Sequence, residues 1–356
     1  MKRIPASLVA AIVAVTFIAP AQAAKLQSVG PITFDDKGVL YVSDPKGATI
    51  HAYQVDDAKA KKADKAVKVE KIGSKIASLI GANADDILIV DLAVNPVSKN
   101  AYLAVSRGRG TDATPAIIRV AGGKLSVVAT KNSQSAAKLP NAPADKSVRG
   151  RRGPYNARLE SITDIAYVDG RLLVAGLSNE EFASTLRSIK IPFGKVDRGS
   201  SVEIFHGAHG RFETRSPVRT FVPFKVGDTP SVLAAYTCTP LVQFPIADIK
   251  PMGKVKGKTI AELGNRNRPL DMIVYQQGGK DYVLIANSAR GIMKVDTGNM
   301  AAIDSITKKV SGTAGVTYKT IEQWQGIDQL DKYSAKLALV VRSDDNGATL
   351  QTIPLP

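Results

Sequence analysis

A five-residue strand pattern recurs six times along the chain and limits its fold more than any other feature. The copies are Thr49-Ile50-His51-Ala52-Tyr53, Ala116-Ile117-Ile118-Arg119-Val120, Thr185-Leu186-Arg187-Ser188-Ile189, Pro240-Leu241-Val242-Gln243-Phe244, Gly291-Ile292-Met293-Lys294-Val295 and Thr349-Leu350-Gln351-Thr352-Ile353. Their spacings are 67, 69, 55, 51 and 58 residues. Each follows an apolar run ending in a small polar residue: 39–43, 101–106, 171–178, 231–238, 282–287 and 337–343. A further strand-like run precedes each of these. Breakers such as Asp36-Lys37-Gly38, Asn95-Pro96, Asp169-Gly170 and Gln277-Gly278-Gly279 separate the two. A small antiparallel sheet repeated at this period predicts the blades of an all-β propeller. Six four-stranded blades of about 55 residues fill the chain, and seven remain possible.

The ends and the composition narrow the setting. Lys2 and Arg3 precede an apolar stretch over 6–20 and a small-x-small site, Ala21-Gln22-Ala23. This reads as a signal peptide over 1–23, followed by one propeller domain over 24–356 in the periplasm or outside the cell. No later run is long and apolar enough to span a bilayer, so no transmembrane segment is expected. Cys238 is the only cysteine, which excludes an internal disulfide. Lys and Arg number 48 against 32 Asp and Glu, a formal charge of +16. The basic runs 59–65 and 149–152 lack interleaved aromatics, so they read as solvated loops with no specific nucleic-acid binding. Residues 131–158, rich in Ala, Pro, Asn, Ser, Lys and Arg, read as an exposed basic insertion without strands. A monomer is expected.

In the first blade the strands are expected at 32–34, 39–43, 49–55 and 67–72. The sixth blade reaches only its third strand before Pro356. Residues 26–29, Leu26-Gln27-Ser28-Val29, are the natural candidate to supply its fourth strand and close the ring.

The segment Gly30-Pro31-Ile32-Thr33-Phe34-Asp35-Asp36-Lys37-Gly38-Val39-Leu40-Tyr41-Val42-Ser43-Asp44 resembles the repeat of exported bacterial propellers. These include the lactonase-like (gluconolactonase-type) and NHL/YVTN-type groups. The lactonase resemblance implies a metal held by a Glu at the start of the first blade, with Asn and Asp ligands further on. Here Val29 precedes Gly30-Pro31 in place of that Glu, while Asp44, Asn179 and Asn287 fall at ligand positions. The activity so implied is calcium-dependent hydrolysis of a lactone or another ester.

Propeller topology places the ends of second strands and the loops entering inner strands on one face. Asp44, Arg107, Asn179, Cys238, Asn287 and Arg290 lie at the former, and Arg268 at the latter. They predict a polar funnel for a small-molecule or protein ligand. The segment Phe205-His206-Gly207-Ala208-His209-Gly210-Arg211-Phe212-Glu213 holds two of the three histidines. With Cys238, the set His206, His209 and Glu213 suits copper or zinc, and at least one imidazole is expected to turn towards the channel. The alternative is a glycine bend in which the histidines satisfy backbone groups and Cys238 only packs. Asp91, Asp164 and Asp271, with Asp328 one place displaced, recur in inner strands. They form either a carboxylate ring for a divalent cation or backbone ties repeated by symmetry. No G-x-S-x-G, phosphate-loop, dinucleotide or CxxCH motif is present. Three functions stay open: a binding propeller, a metal-dependent hydrolase, and a redox or metal-handling accessory protein.

Overall fold

A computed structural model of the chain describes residues 25–57, 66–131, 133–150 and 153–356. The expected leader over 1–23 and the basic run 59–65 lie outside the described residues. The described part is a ring of six antiparallel sheets with one short α-helix, Ile72–Ile80. No helix among the described residues is long and apolar enough to cross a membrane.

Taken by inner strand, the blades begin at Ile32–Phe34, Ile87–Val94, Asp164–Val168, Thr220–Val226, Pro269–Gln277 and Ile327–Lys332. They are numbered one to six in that order. The second strands explain why the repeat is legible. In blade two Ala101, Tyr102, Leu103, Ala104 and Val105 are all buried, because each blade is sandwiched between two others. A strand covered on both faces reads as a continuous apolar run. Its alternating side chains then serve different neighbours. Tyr102 and Ala104 pack with Phe34 and Leu40 of blade one. Leu103 and Val105 pack with Leu339 and Val341 of blade six. Likewise Leu172 and Val174 of blade three meet blade one, whereas Leu173 and Ala175 meet blade four.

These contacts give a ring order of two, one, three, four, five and six, closing from six back to two. Blades one and two are thus exchanged relative to the chain. The outer strands of blades one and six are also supplied out of sequence. After Thr49–Gln54 the chain leaves blade one and lays Lys68–Val69 against Gly347–Pro354 of blade six. The helix follows, burying Ile72 and Ile76 between blades two and six. Blade two is then completed in sequence. Only afterwards does Ser135–Lys138 return to pair with Thr49–Gln54.

Three expectations are corrected here. The segment 67–72 does not complete blade one, and residues 26–29 do not complete blade six. The backbone N–H groups of Gln27 and Ser28 instead donate to the Asp44 carboxylate, both at 2.9 Å, and Leu26 joins the core between blades one and two. Nor is 131–158 without strands. Besides Ser135–Lys138 it contains the hairpin Val148–Gly150 with Gly153–Tyr155.

Four inner-strand aspartates tie the ring together. Asp91 accepts from the N–H of Leu92 at 2.9 Å and, across the blade boundary, from Ile32 at 2.7 Å. Asp164 bridges likewise to Phe221, Asp271 to Leu330 and Asp331 to Val94. Of the two readings of this row, backbone ties describe the geometry. The fourth member is Asp331 rather than Asp328, which accepts from the Ser343 hydroxyl instead. The four carboxyls lie around a central channel of about 540 Å³ bordered by all six inner strands. Burial on the axis raises all four, Asp164 to about 7 and Asp331 to about 6. Each still touches the channel, so channel water screens part of that cost.

A candidate metal centre between blades three and four

The outer strand of blade three, Ser200–His206, ends at a tight turn. The N–H groups of His209 and Gly210 both donate to the His206 carbonyl, at 3.1 and 2.8 Å. Gly210 closes the turn at φ +67°, in the left-handed region that favours glycine. Gly207 is required for a different reason. A Cβ there would lie 2.9 Å from the Glu262 side chain, so blade four could not approach. The chain then reverses into Arg211–Glu213, which pairs with the end of the outer strand. The turn thereby brings His206, His209 and Glu213 to one point.

Cys238 arrives from blade four. It sits in the reversal between Thr229–Ala235 and Pro240–Pro245, where Cys238 and Thr239 both have positive φ, 64° and 60°. The Tyr236 N–H donates to the Pro240 carbonyl at 3.2 Å, so Thr237, Cys238 and Thr239 form a three-residue hairpin loop whose last two residues lie in the left-handed region. Non-glycine side chains occupy it only at a cost of ~1–3 kcal/mol each. The Cys238 N–H donates to the Asn267 carbonyl at 2.7 Å, and the Thr239 hydroxyl donates to the Gly264 carbonyl. These bonds fix where the thiol is presented.

One nitrogen from each of His206 and His209 and the Cys238 sulfur all lie within 4.8 Å of one another. The two rings are 3.8 Å apart between centroids and tilted by 36°. Glu213 binds the Nδ1 atom of both, His206 at 3.0 Å and His209 at 2.7 Å. Both Nε2 atoms are thereby left as the available donors. The Nε2 of His206 is buried and has no hydrogen-bond partner. A buried polar atom without a partner is costly, and a metal ion would relieve it. The sequence reading counted Glu213 among the ligands; in the fold its two oxygens are each committed to an imidazole Nδ1. A carboxylate bonded to the far nitrogen in this way is the arrangement that orients imidazoles where they do bind a metal.

The electrostatics agree. Burial alone would raise Glu213, but hydrogen bonds from His206, Ser216 and His209 outweigh it and hold the group well below the ordinary carboxylate range. Glu262 stands beside the turn and behaves oppositely. Burial raises it, against the pull of His206 and of the Gly207 and Ala208 N–H groups. Its Oε1 accepts from Gly207, and its Oε2 is buried without a partner. Sequence reading missed Glu262, because nothing local marks a carboxylate at the end of an outer strand.

The site lies in the crevice between blades, not on the axis. None of His206, His209 and Cys238 borders the central channel. The expectation that an imidazole turns towards the channel is corrected. The connection from blade three runs down a fifth strand before entering blade four, which keeps the turn at the periphery. His206 is buried, whereas the His209 side chain is 43% exposed, so the site opens to solvent on one side.

The other predicted residues are distributed as follows. Asn287 is buried and bonded to Asn267 at 2.9 Å, which in turn holds the Cys238 loop. Arg268 and Arg290 are exposed in the same group of loops. The Arg268 backbone N–H donates to the Ser288 hydroxyl at 3.1 Å, and the Arg290 guanidinium donates to the Asn265 carbonyl at 3.2 Å. Asp44 lies elsewhere on the ring, buried, with its oxygens taken by Gln27, Ser28 and Gly47 N–H groups. Asn179 and Arg107 are exposed on blades three and two. Asn179 meets Asn141 through its backbone N–H at 2.6 Å. Only Cys238, Arg268, Asn287 and Arg290 are thus gathered by one set of loops.

No family model matches the chain, and no curated protein matches it. Among solved structures it is similar to a protein of Thermus thermophilus described as a putative oxidoreductase (glucose dehydrogenase), at 11% identity and a TM-score of 0.38, over 92% of this chain and 97% of that one. It is also similar to the PQQ-bound aldose sugar dehydrogenase of Streptomyces coelicolor, at 10% identity and a TM-score of 0.33, over 93% and 95%. Likeness at that level carries no argument about activity. The six-bladed assignment rests on the sheets of this chain, and the site on its own geometry.

Proposed function

We propose that the protein is an exported propeller that holds one copper or zinc ion through His206, His209 and Cys238. A metal-handling or redox accessory role follows from such a centre. The observation that carries this reading is the convergence of three donors with one carboxylate behind both imidazoles. Two imidazoles and a thiolate are soft to borderline ligands, which favour copper or zinc over calcium. When bound, the ion supplies a redox or Lewis-acid centre. The chain's own residues do the rest. Glu213 keeps a proton on each Nδ1 and so leaves Nε2 free to bind. The Cys238-Thr239 turn holds the sulfur, and exposed His209 leaves a way in. The neighbouring loops with Arg268 and Arg290 are the part of the expected funnel that a ligand or partner protein would meet first.

The calcium-dependent hydrolase reading has less behind it. Asp44 spends its carboxylate on backbone N–H groups, Asn287 is consumed by Asn267, and Val29 stands in the Glu position.

Metal analysis of the purified mature protein tests the proposal. One copper or zinc per chain is expected, lost in the double variant His206→Ala/His209→Ala and reduced in Cys238→Ser. Stoichiometric calcium that survives both variants, or no metal after incubation with either ion, would refute it.

A further inference from the structure

A second site is built around a buried arginine that has no counter-charge. Arg187 lies in Ser184–Lys190, the third strand of blade three, and is only 3% exposed. Its Nε and Nη1 are buried without any hydrogen-bond partner. Its Nη2 reaches only the Pro140 carbonyl, at 3.5 Å. Among the described residues it forms no ion pair. The carboxylate that attracts it from a distance, Glu180, is held by Asn141 and lies 3.8 Å from Arg198. Guanidinium is the most basic side chain, yet burial pushes this one down to about 10. A buried charge left unpaired is among the most expensive features a fold can carry.

The surroundings supply an explanation. Arg187 borders a crevice of about 500 Å³ between the edge of blade three and the loop that follows the third strand of blade four. Arg171, Lys190, Lys195, Arg198 and Lys250 border it too, and Asp197 is its single acidic residue. Gly199 permits the close packing over the arginine stem, since a Cβ there would lie 2.6 Å from the Arg187 Cγ. A surface run of lysines would be solvated and would call for no ligand. A desolvated guanidinium beneath such a rim does call for one.

We propose that this crevice binds a phosphate-type oxyanion, with Arg187 as its buried anchor and the exposed cations as its rim. The doubly charged, multi-acceptor phosphate group suits several convergent N–H donors better than a single carboxylate does. The site is independent of the metal centre, which lies at the His206 end of the blade.

The test uses the mature protein and inorganic phosphate, with sodium chloride at matched ionic strength as the reference. Phosphate is expected to raise the melting temperature in a saturable way and to show a calorimetric binding isotherm. Arg187→Met should fold at least as stably in chloride and lose the phosphate response. Lys195→Ala/Arg198→Ala, confined to the exposed rim, should keep the fold and weaken phosphate binding by about ten-fold. Should Arg187→Met fail to fold, the rim variant carries the test by itself. A phosphate response that is absent from the wild type, or unchanged by the rim variant or by Arg187→Met, overturns the proposal. Vesicles containing phosphatidylglycerol form a separate arm. Capture by vesicles without any response to free phosphate would assign the cations to a membrane surface and also overturn it.

Discussion

Glu213 shows how much a single residue's role depends on its neighbours. In the sequence it is a carboxylate four residues after His209, and it reads as a ligand. In the fold both its oxygens are committed to the imidazoles, with Ser216 as a further donor. Glu213→Gln should therefore leave the metal bound but weaken it by ~10–100-fold, the usual cost of losing a carboxylate behind ligating histidines. Competition with a chromophoric chelator measures this, and an affinity equal to the wild type would return Glu213 to a packing role. His206, His209 and Cys238 were legible as chemistry-bearing residues because histidine and cysteine are rare here. Glu262 and Arg187 were not. Arg187 did leave a trace, as a charge in the middle of a strand copy, between Leu186 and Ser188. Its enclosure is a matter of tertiary packing, with Gly199 over its stem and the Pro140 carbonyl beside its Nη2.

At the level of elements, the informative pieces are those that cross between blades. Asp57 follows the third strand of blade one and receives Ser98, Asn100, Tyr102 and Arg119 from blade two. Burial raises its pKa, but those four donors outweigh burial and lower it. Asp57→Ala would strand buried donors and should cost about 3 kcal/mol in denaturant unfolding. A loss under ~0.5 kcal/mol would show that blades one and two are joined by their apolar core alone. The returning outer strand Ser135–Lys138 can be tested in the same way. Ala137 is 1% exposed within the core between blades one and three. Ala137→Asp should release that strand, and hydrogen exchange should then rise over Thr49–Gln54, its partner. The inner three strands of every blade were legible, because turn residues and apolar runs are local signals. The outer strands of blades one and six were not. Lys68–Val69 has strand-like residues, but nothing nearby in sequence says that its partner is Gly347–Pro354.

Across the whole molecule, the aspartate ring makes stability depend on pH. An aspartate in an unfolded chain titrates near ~3.9. Asp164, at about 7 in the fold, holds its proton more tightly when folded. The folded state thus binds more protons than the unfolded state between these values, and stability falls as pH rises through them. Asp331, at about 6, and the raised Asp91 and Asp271 act in the same sense. Glu213 and Asp57 are lowered and act oppositely, so their contribution is lost as pH falls below the ordinary carboxylate range. The melting temperature should therefore peak near pH ~5 and decline towards pH ~8. Asp164→Asn should flatten the decline between pH ~5 and ~8. A wild-type melt that rises across that interval would show that channel water ionises the ring at no cost.

The local signals in the sequence were sufficient for a six-bladed all-β ring, for the inner strands of each blade, and for the rare residues able to bind metal. Apolar alternation, turn chemistry and residue type act over a few positions, so they survive without knowledge of the fold. Tertiary structure alone decided the exchange of blades one and two, the origin of two outer strands, and the choice of Asp331 over Asp328. It also decided that His206, His209 and Cys238 meet between blades and not on the axis. Each of these depends on which of several similar surfaces is buried against which. Six near-equivalent blades offer nearly the same apolar face, and the pairing is settled by specific contacts such as Asp57 with blade two and Asp44 with residues 27 and 28.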